Sequence, residues 1–82
     1  MFIQQNQLAE IMSMPIETMS LFMSNYRFSK YYKKLPFKVG RRTVKKPCFE
    51  FSSDFITELI DYLEIRQKYK ELDKFEKFVK SL

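Results

Sequence analysis

The stretch QLAEIMSMPIETMSLFMSN, residues 7–25, places apolar side chains at the spacing of two short α-helices with a tight break between them. The first helix is predicted to follow Asn6, whose side chain can accept a hydrogen bond from a free amide of the first turn. Ser13-Met14-Pro15 interrupts the pattern, because proline favours an extended residue before it and fits the first turn of a new helix. A second helix is therefore expected to run from Pro15 to at least Met23.

The following segment predicts a short strand pair. Residues 24–36 interleave aromatic and basic side chains, and the second helix can continue into them until Pro36 ends it. Phe37-Lys38-Val39 alternates like a strand, and Gly40 is expected to form the turn, because glycine adopts backbone conformations that cost other residues energy. Residues 48–51 are expected to return as the partner strand, with Pro47 at an edge or at the strand start.

The C-terminal third is predicted to be helical. Residues 52–54 (SSD) offer several N-caps, and apolar residues then recur at helical spacing. Residues 54–81 contain no Gly or Pro, so one long helix and two helices broken near 66–73 both fit. The apolar stripe from Ile65 to Leu82 could form a homodimer contact or pack back onto its own domain. The predicted fold class is thus mainly α with a small β-hairpin.

Charge is distributed unevenly along the chain. Residues 1–23 contain two acidic and no basic side chains, residues 24–48 nine basic and no acidic ones, and residues 49–82 six basic and eight acidic ones. Such clustering is typical of a surface that binds a polyanion, although a solvated basic loop would have the same composition. The basic cluster comprises Arg27, Lys30, Lys33, Lys34, Lys38, Arg41, Arg42, Lys45 and Lys46.

Several function classes lack the residues that they need. The chain has no His and one Cys, which excludes catalysis by His, His-containing zinc sites and an internal disulfide. Cys48, in a predicted strand beside Phe49, is interpreted as a structural thiol. We therefore expect no enzymatic activity, no cofactor, no metal and no small-molecule substrate. The sequence also lacks a signal-peptide pattern and a long apolar run, which predicts a cytoplasmic protein without a membrane partner.

The first two helices resemble a helix-turn-helix. In that motif a small residue lies where the helices cross, as Ala9 does here, and apolar residues pin the helices together. The family pattern of a Leu-Ala pair, a tight turn and Thr-Val-Ser is matched by Leu8-Ala9, Ser13-Met14-Pro15 and Thr18-Met19-Ser20, with Ser13 where glycine is usual. The pinning positions are occupied by Leu8, Met12, Met14, Met19 and Phe22. An ordinary helical hairpin with a Met-rich core would show the same pattern.

The elements that follow extend this resemblance. LPFKVGRR, residues 35–42, followed by a returning strand and a capped helix, is similar to the winged helix-turn-helix domains of the MerR and phage-excisionase superfamily. In that group a Pro precedes a short hairpin, the wing, whose turn carries a Gly-Arg-Arg-like sequence. The resemblance implies a winged helix-turn-helix domain over residues 1–63 and a C-terminal helical extension, which could dimerise, over residues 64–82. The segment between Phe22 and Pro36 is several residues longer than such domains usually have.

The resemblance implies a protein that binds duplex DNA, as an excisionase-like architectural factor or a transcription regulator of a phage or mobile element. The second helix would enter the major groove, and the basic cluster would contact phosphates. Base reading would fall to Ile16, Glu17, Ser20, Leu21 and Ser24. Because this set lacks the strong contact of Arg with guanine, we expect modest sequence specificity.

Two other interpretations fit the same residues. Ile16 and Leu21, if exposed, could mark a protein-binding face. The protein would then be a small interaction module, such as a phage or mobile-element inhibitor of a host complex. Alternatively, single-stranded nucleic acid could stack on aromatic side chains between the lysines, although core packing is the simpler role for them. These aromatic residues are Tyr26, Phe28, Tyr31 and Tyr32.

Overall fold

The computed structural model describes the whole chain from Met1 to Leu82 as four α-helices and one three-stranded sheet. The elements are β1 (Phe2–Gln4), α1 (Gln5–Met12), α2 (Ile16–Met23), a 3₁₀ turn (Tyr26–Phe28), β2 (Tyr32–Val39), β3 (Arg42–Glu50), α3 (Ser53–Ile65) and α4 (Tyr69–Lys80). The sheet is antiparallel, with strand order β1-β3-β2. The predicted combination of helices with a β-hairpin is therefore present, as a mixed α and β fold.

The turn between α1 and α2 depends on a left-handed residue. Ser13 has φ 52° and ψ 43°, and the amide of Met14 donates to the carbonyl of Ala9 at 2.8 Å. The turn thus takes the conformation that favours glycine, although a serine occupies it.

The start of α1 differs from the prediction that Asn6 is its cap. Gln4 is the N-cap, in an extended conformation, and its amide donates to Oε1 of Gln7 at 3.0 Å. The reason is β1, which agrees with the very short strand that the sequence predicts at Phe2-Ile3: its pairing with β3 keeps residues 2–4 extended up to the first helical residue.

The hairpin is longer than the predicted one. β2 and β3 have eight and nine residues, and their register runs from Tyr32 opposite Phe49 to Val39 opposite Arg42. The expected turn at Gly40 is confirmed: this residue has φ 64° and is the first of two turn residues, as in a type II′ turn. Because α2 already ends at residue 23, Pro36 ends no helix, and that prediction is wrong.

Both hairpin prolines occupy positions where no amide is needed between β2 and β3. Hydrogen-bonded and non-hydrogen-bonded positions alternate along an antiparallel pair. The amide of Glu50 donates to the carbonyl of Tyr31 at 2.8 Å, so these two residues form a hydrogen-bonded pair. Counting along the register from this pair, Pro36 and Pro47 both occupy non-hydrogen-bonded positions. Pro36 thus faces the free edge of β2, and Pro47 faces the open edge of β3 just beyond the last residue paired with β1. The prediction that Pro47 lies at an edge agrees with this placement.

The C-terminal part forms two helices. Ser52 caps α3, its hydroxyl oxygen accepting from the amide of Phe55 at 3.2 Å. Gln67, with φ 57°, breaks the helix between α3 and α4, and α4 packs back onto α1 and α3. Leu72 and Phe75 of α4 are buried in the same cluster as the first two helices. Much of the stripe that could form a dimer is therefore used inside the chain, while the domain division at residue 63 stays a prediction.

One hydrophobic cluster joins the helices to the base of the sheet. All the predicted pins of the first two helices, together with Ala9, are buried in it. Its centre is aromatic: the ring of Phe55 lies 6.0 Å from that of Phe28 and 5.6 Å from that of Phe49, between centroids. No residue from 32 to 47 is buried, so most of the hairpin projects away from this core.

Candidate nucleic-acid interface

The strand register divides the hairpin side chains between two faces, because successive side chains of a strand point to opposite sides. Tyr32 is paired with Phe49, with ring centroids 5.6 Å apart, and Phe49 stacks on Phe55 of α3. Their side of the sheet carries the helices, and we call it the inner face. Farther out along the hairpin, the inner face consists of Lys34, Pro36, Lys38, Thr43, Lys45 and Pro47.

The opposite side, the outer face, is not covered by a helix. It is defined by the same register and by two cation–aromatic contacts, in which the Lys46 ammonium lies 5.8 Å from the ring centroid of Phe37 and the Lys33 ammonium 5.9 Å from that of Phe2. Its hairpin residues are Lys33, Leu35, Phe37, Val39, Arg42, Val44, Lys46 and Cys48.

The predicted basic cluster is therefore not one surface. Only Lys34, Lys38 and Lys45 share the inner face with the helices, whereas Lys33, Arg42 and Lys46 lie on the outer face and Arg41 lies in the turn. Strand alternation makes this division, and it cannot be seen before the register is known.

Arg27 lies in the 3₁₀ turn and Lys30 in the turn that follows it, so neither belongs to the hairpin. Nη1 of Arg27 lies 3.5 Å from Oε2 of Glu58 on α3, and its guanidinium lies 5.7 Å from the ring centroid of Tyr62. The Lys30 ammonium lies 5.2 Å from the ring centroid of Tyr31. Arg27 thus has an anionic partner within the chain, which makes it less available for a phosphate.

An open groove of about 360 Å³ lies between α2 and the base of the hairpin. Most of its lining is polar and uncharged, and it includes two of the predicted base-reading residues, Ser20 and Ser24. The other lining residues are Gln5, Met23, Asn25, Ser29, Tyr32 and Pro47. The groove therefore connects the exposed side of α2 with the inner face of the hairpin.

The groove also contains three polar residues that the sequence pattern did not indicate as ligands, namely Gln5, Asn25 and Ser29. The hydroxyls of Ser24 and Ser29 each donate to a backbone carbonyl one turn back, at 2.6 and 2.8 Å. Such hydroxyls can rotate towards an external acceptor, since both residues are exposed. Side chains of this kind are common phosphate and sugar ligands in complexes with DNA. The sequence signal that could have indicated Asn25 and Ser29 is the run of small polar residues among the aromatic ones in residues 24–32.

The five predicted base-reading residues lie on the exposed side of α2 and at its C-cap, Ser24. Ile16 and Leu21 are 57% and 79% exposed, and Glu17, Ser20 and Ser24 are exposed as well. The helix has no basic side chain, and its one charge, Glu17, lies in the first turn. This is the end where the helix dipole stabilises a negative charge.

The aromatic residues of the 24–36 segment divide between core and surface. Phe28 and Tyr31 are buried, so the idea that they stack bases is wrong for these two. Tyr26 and Tyr32 are exposed, at 80% and 40%. A stacking platform for single-stranded nucleic acid would therefore have at most half of the expected residues.

Cys48 has the features of a structural thiol. It is buried in β3 and its Sγ lies 3.5 Å from the carbonyl oxygen of Lys46. Burial raises the pKa of the Cys48 thiol above its ordinary value, which disfavours the reactive thiolate. The structure contains no group of three or more potential metal-binding side chains, and none of its helices has the length and apolar character needed to cross a bilayer.

No family model, curated protein or solved structure matches the chain. What the surface can bind is therefore argued from its geometry and its charges.

Proposed function

We propose that the protein is a small winged helix-turn-helix protein that binds duplex DNA with α2 and the inner face of the hairpin. The observation that carries the proposal is the placement of Lys34, Lys38 and Lys45 on that face, which continues into the groove beside Ser20 and Ser24. A surface with cations on one side and an exposed helix on the other matches a duplex, which offers phosphates beside readable base edges.

The dimensions of the lysine row fit a phosphate backbone. Lys34 and Lys38 are four residues apart on β2, roughly 13 Å along a strand. Successive phosphates of one DNA strand are closer together than this, so Lys34 and Lys38 can contact different phosphates of the same strand. No acidic residue lies between residues 24 and 49, so no carboxylate on this ribbon opposes the contact.

The exposed side of α2 supports modest sequence reading. Glu17 can accept from a cytosine amino group, Ser20 can donate or accept, and Leu21 can contact a thymine methyl. Without Arg or Lys on this helix, most of the affinity comes from the hairpin and carries little sequence information. This balance supports an architectural, excisionase-like factor or a regulator that relies on DNA shape or on cooperative binding.

The test compares two triple variants with the same net charge. One has Lys34→Gln, Lys38→Gln and Lys45→Gln on the inner face; the control has Lys70→Gln, Lys74→Gln and Lys80→Gln on the exposed side of α4. Dissociation constants for a random 20-base-pair duplex are measured by fluorescence anisotropy at several salt concentrations. Three lost phosphate contacts reduce the slope of log K against log salt by about 2.7, whereas the control keeps the slope of the original protein.

Equal slopes for the two variants would contradict the proposal, because affinity would then depend on net charge alone. One observation favours a second candidate, a protein-interaction module: Leu21 is 79% exposed on a helix with no basic residue. That candidate replaces the first if the inner-face triple variant leaves duplex binding unchanged while Leu21→Asp abolishes binding of a partner protein.

A further inference from the structure

The outer face of the hairpin carries an uncovered apolar strip. Leu35, Phe37 and Val39 follow one another on β2, and Val44 of β3 lies directly opposite Phe37. Val39 is 53% exposed and the other three are half-buried. Isolated exposed apolar side chains are ordinary in soluble proteins, but a contiguous group on an unpacked sheet face is typical of a binding surface.

The pairing within the hairpin accounts for only part of this strip. Phe37 and Val44 are a directly opposed aromatic and β-branched pair, which stabilises a two-stranded ribbon. Leu35 and Val39 have no apolar partner across the strands, because they face Lys46 and Arg42. Neither residue therefore has a directly opposed apolar partner.

Cations surround the strip. Lys33 lies at its base, Lys46 lies beside Phe37 with its ammonium 5.8 Å from the ring centroid, and Arg42 lies beside Val39. No acidic residue occurs between residues 24 and 49. An apolar centre with a basic rim is complementary to a surface that has an apolar centre and an acidic rim.

The edges of the hairpin indicate how such a partner would bind. A partner strand would need a continuous row of free amides, but Pro36 interrupts the free edge of β2 and Pro47 interrupts that of β3. The remaining mode of binding is docking of a partner on the outer face of the hairpin. From Leu35 to Val39 the strip is roughly 13 Å long, which equals about nine residues of an α-helix.

We infer that the outer face of the hairpin binds an acidic amphipathic helix of a partner protein. The apolar stripe of that helix lies on Leu35, Phe37 and Val44, and its carboxylates pair with Lys33, Arg42 and Lys46. The inference does not depend on DNA binding, which uses the opposite face. A protein bound to DNA by its inner face would still present the outer face to a second protein.

The probe is a synthetic 18-residue helical peptide with Leu at i, i+3, i+4 and i+7 and Glu at the flanking positions. Two control peptides are used, one a scrambled sequence of the same composition and one with Lys in place of Glu. By isothermal titration calorimetry, the amphipathic acidic peptide binds at least ten times more tightly than either control. Binding no stronger than that of the scrambled peptide overturns the inference, because charge alone would then explain the association.

Three variants locate the site. The outer-face variant combines Leu35→Thr, Phe37→Thr and Val44→Thr, since Thr also favours strands. It reduces peptide affinity at least tenfold and leaves duplex affinity unchanged. The inner-face variant of Lys34, Lys38 and Lys45 has the opposite profile. A control with Ile65→Thr, Tyr69→Thr and Leu82→Thr, also at exposed apolar positions, keeps both activities. Peptide binding that survives the outer-face substitutions would disprove the site.

Nuclear magnetic resonance of the unaltered protein gives a test that needs no variant. Addition of the acidic peptide shifts backbone amide signals of residues 33–46 and leaves those of α1 and α4 in place. Shifts centred on α2 instead would refute the inference. Vesicles of phosphatidylglycerol and phosphatidylcholine serve as a final probe: if they bind through Leu35 and Phe37 while the peptide does not, the face is a membrane contact and the inference is wrong.

Discussion

Phe75 provides the sharpest test of how the C-terminal helix relates to the rest of the fold. Its side chain is fully buried, and its ring lies 6.3 Å from that of Phe51 in an edge-to-face arrangement, measured between centroids. Phe75→Ala removes this contact and leaves a cavity, which typically costs about 3–5 kcal/mol. At about 0.05–0.15 kcal/mol per residue, a chain of 82 residues has a total stability of about 4–12 kcal/mol. The substitution therefore removes a large share of the free energy of unfolding.

Urea and thermal unfolding of Phe75→Ala are followed by far-ultraviolet circular dichroism and by tyrosine fluorescence, since the chain has five Tyr and no Trp. We expect one cooperative transition with both probes and a melting temperature lower by more than about 12 °C. Leu82→Ala is the control, because Leu82 is 67% exposed, and its cost should stay within about 0.5 kcal/mol.

The opposite result is well defined. If α4 were a separate extension, Phe75→Ala would reduce the helical signal in an early, shallow phase, while the tyrosine transition, to which four of the five tyrosines contribute from outside α4, kept its midpoint. Two separated phases of this kind would refute the argument that Leu72 and Phe75 complete the core of the first two helices.

Two further predictions concern single positions. Ser13→Gly should raise the free energy of unfolding by up to about 1 kcal/mol, because φ 52° costs a residue with a side chain more than it costs glycine; an unchanged or lower urea midpoint would contradict this. For Cys48, whose folded-state thiol pKa is raised from 9.0, the folded state holds the proton more tightly than the unfolded state does. The thiol therefore contributes stability below about pH 9 that is lost as pH rises further, so the difference in stability between the original protein and Cys48→Ala should shrink from pH 8 to pH 10.5. A difference that does not depend on pH would show that the pKa is not raised.

The helices could be predicted from local signals, whereas the hairpin could be predicted only in part. The apolar spacing of α1 and α2 and the cap at Ser52 depend on residues close in sequence, and the structure agrees with them. The length of β2 could not be predicted in this way. Lys33 and Lys34 favour no particular element by themselves, and a proline such as Pro36 normally indicates the end of a strand. Only the pairing of β2 with β3 shows that Pro36 occupies a position that needs no amide.

The candidate site, too, could be predicted from the sequence only in part. The run of basic residues was visible in the sequence, but its division into two faces depends on strand parity, since a shift of one residue would exchange the faces. Arg27 illustrates the point for a single side chain. Its neighbours in sequence are aromatic, and nothing local indicates that Glu58, far along the chain, lies 3.5 Å from its guanidinium.

The projection of the hairpin beyond the core has a consequence for how this protein can change over generations. The molecule measures 41 × 25 × 23 Å along its principal axes, and no residue from 32 to 47 is buried. Substitutions on the distal ribbon thus encounter few of the constraints that packing imposes on the helices. New ligand preferences can arise there while the scaffold persists, so divergent descendants should vary most at the ribbon and least around Phe55.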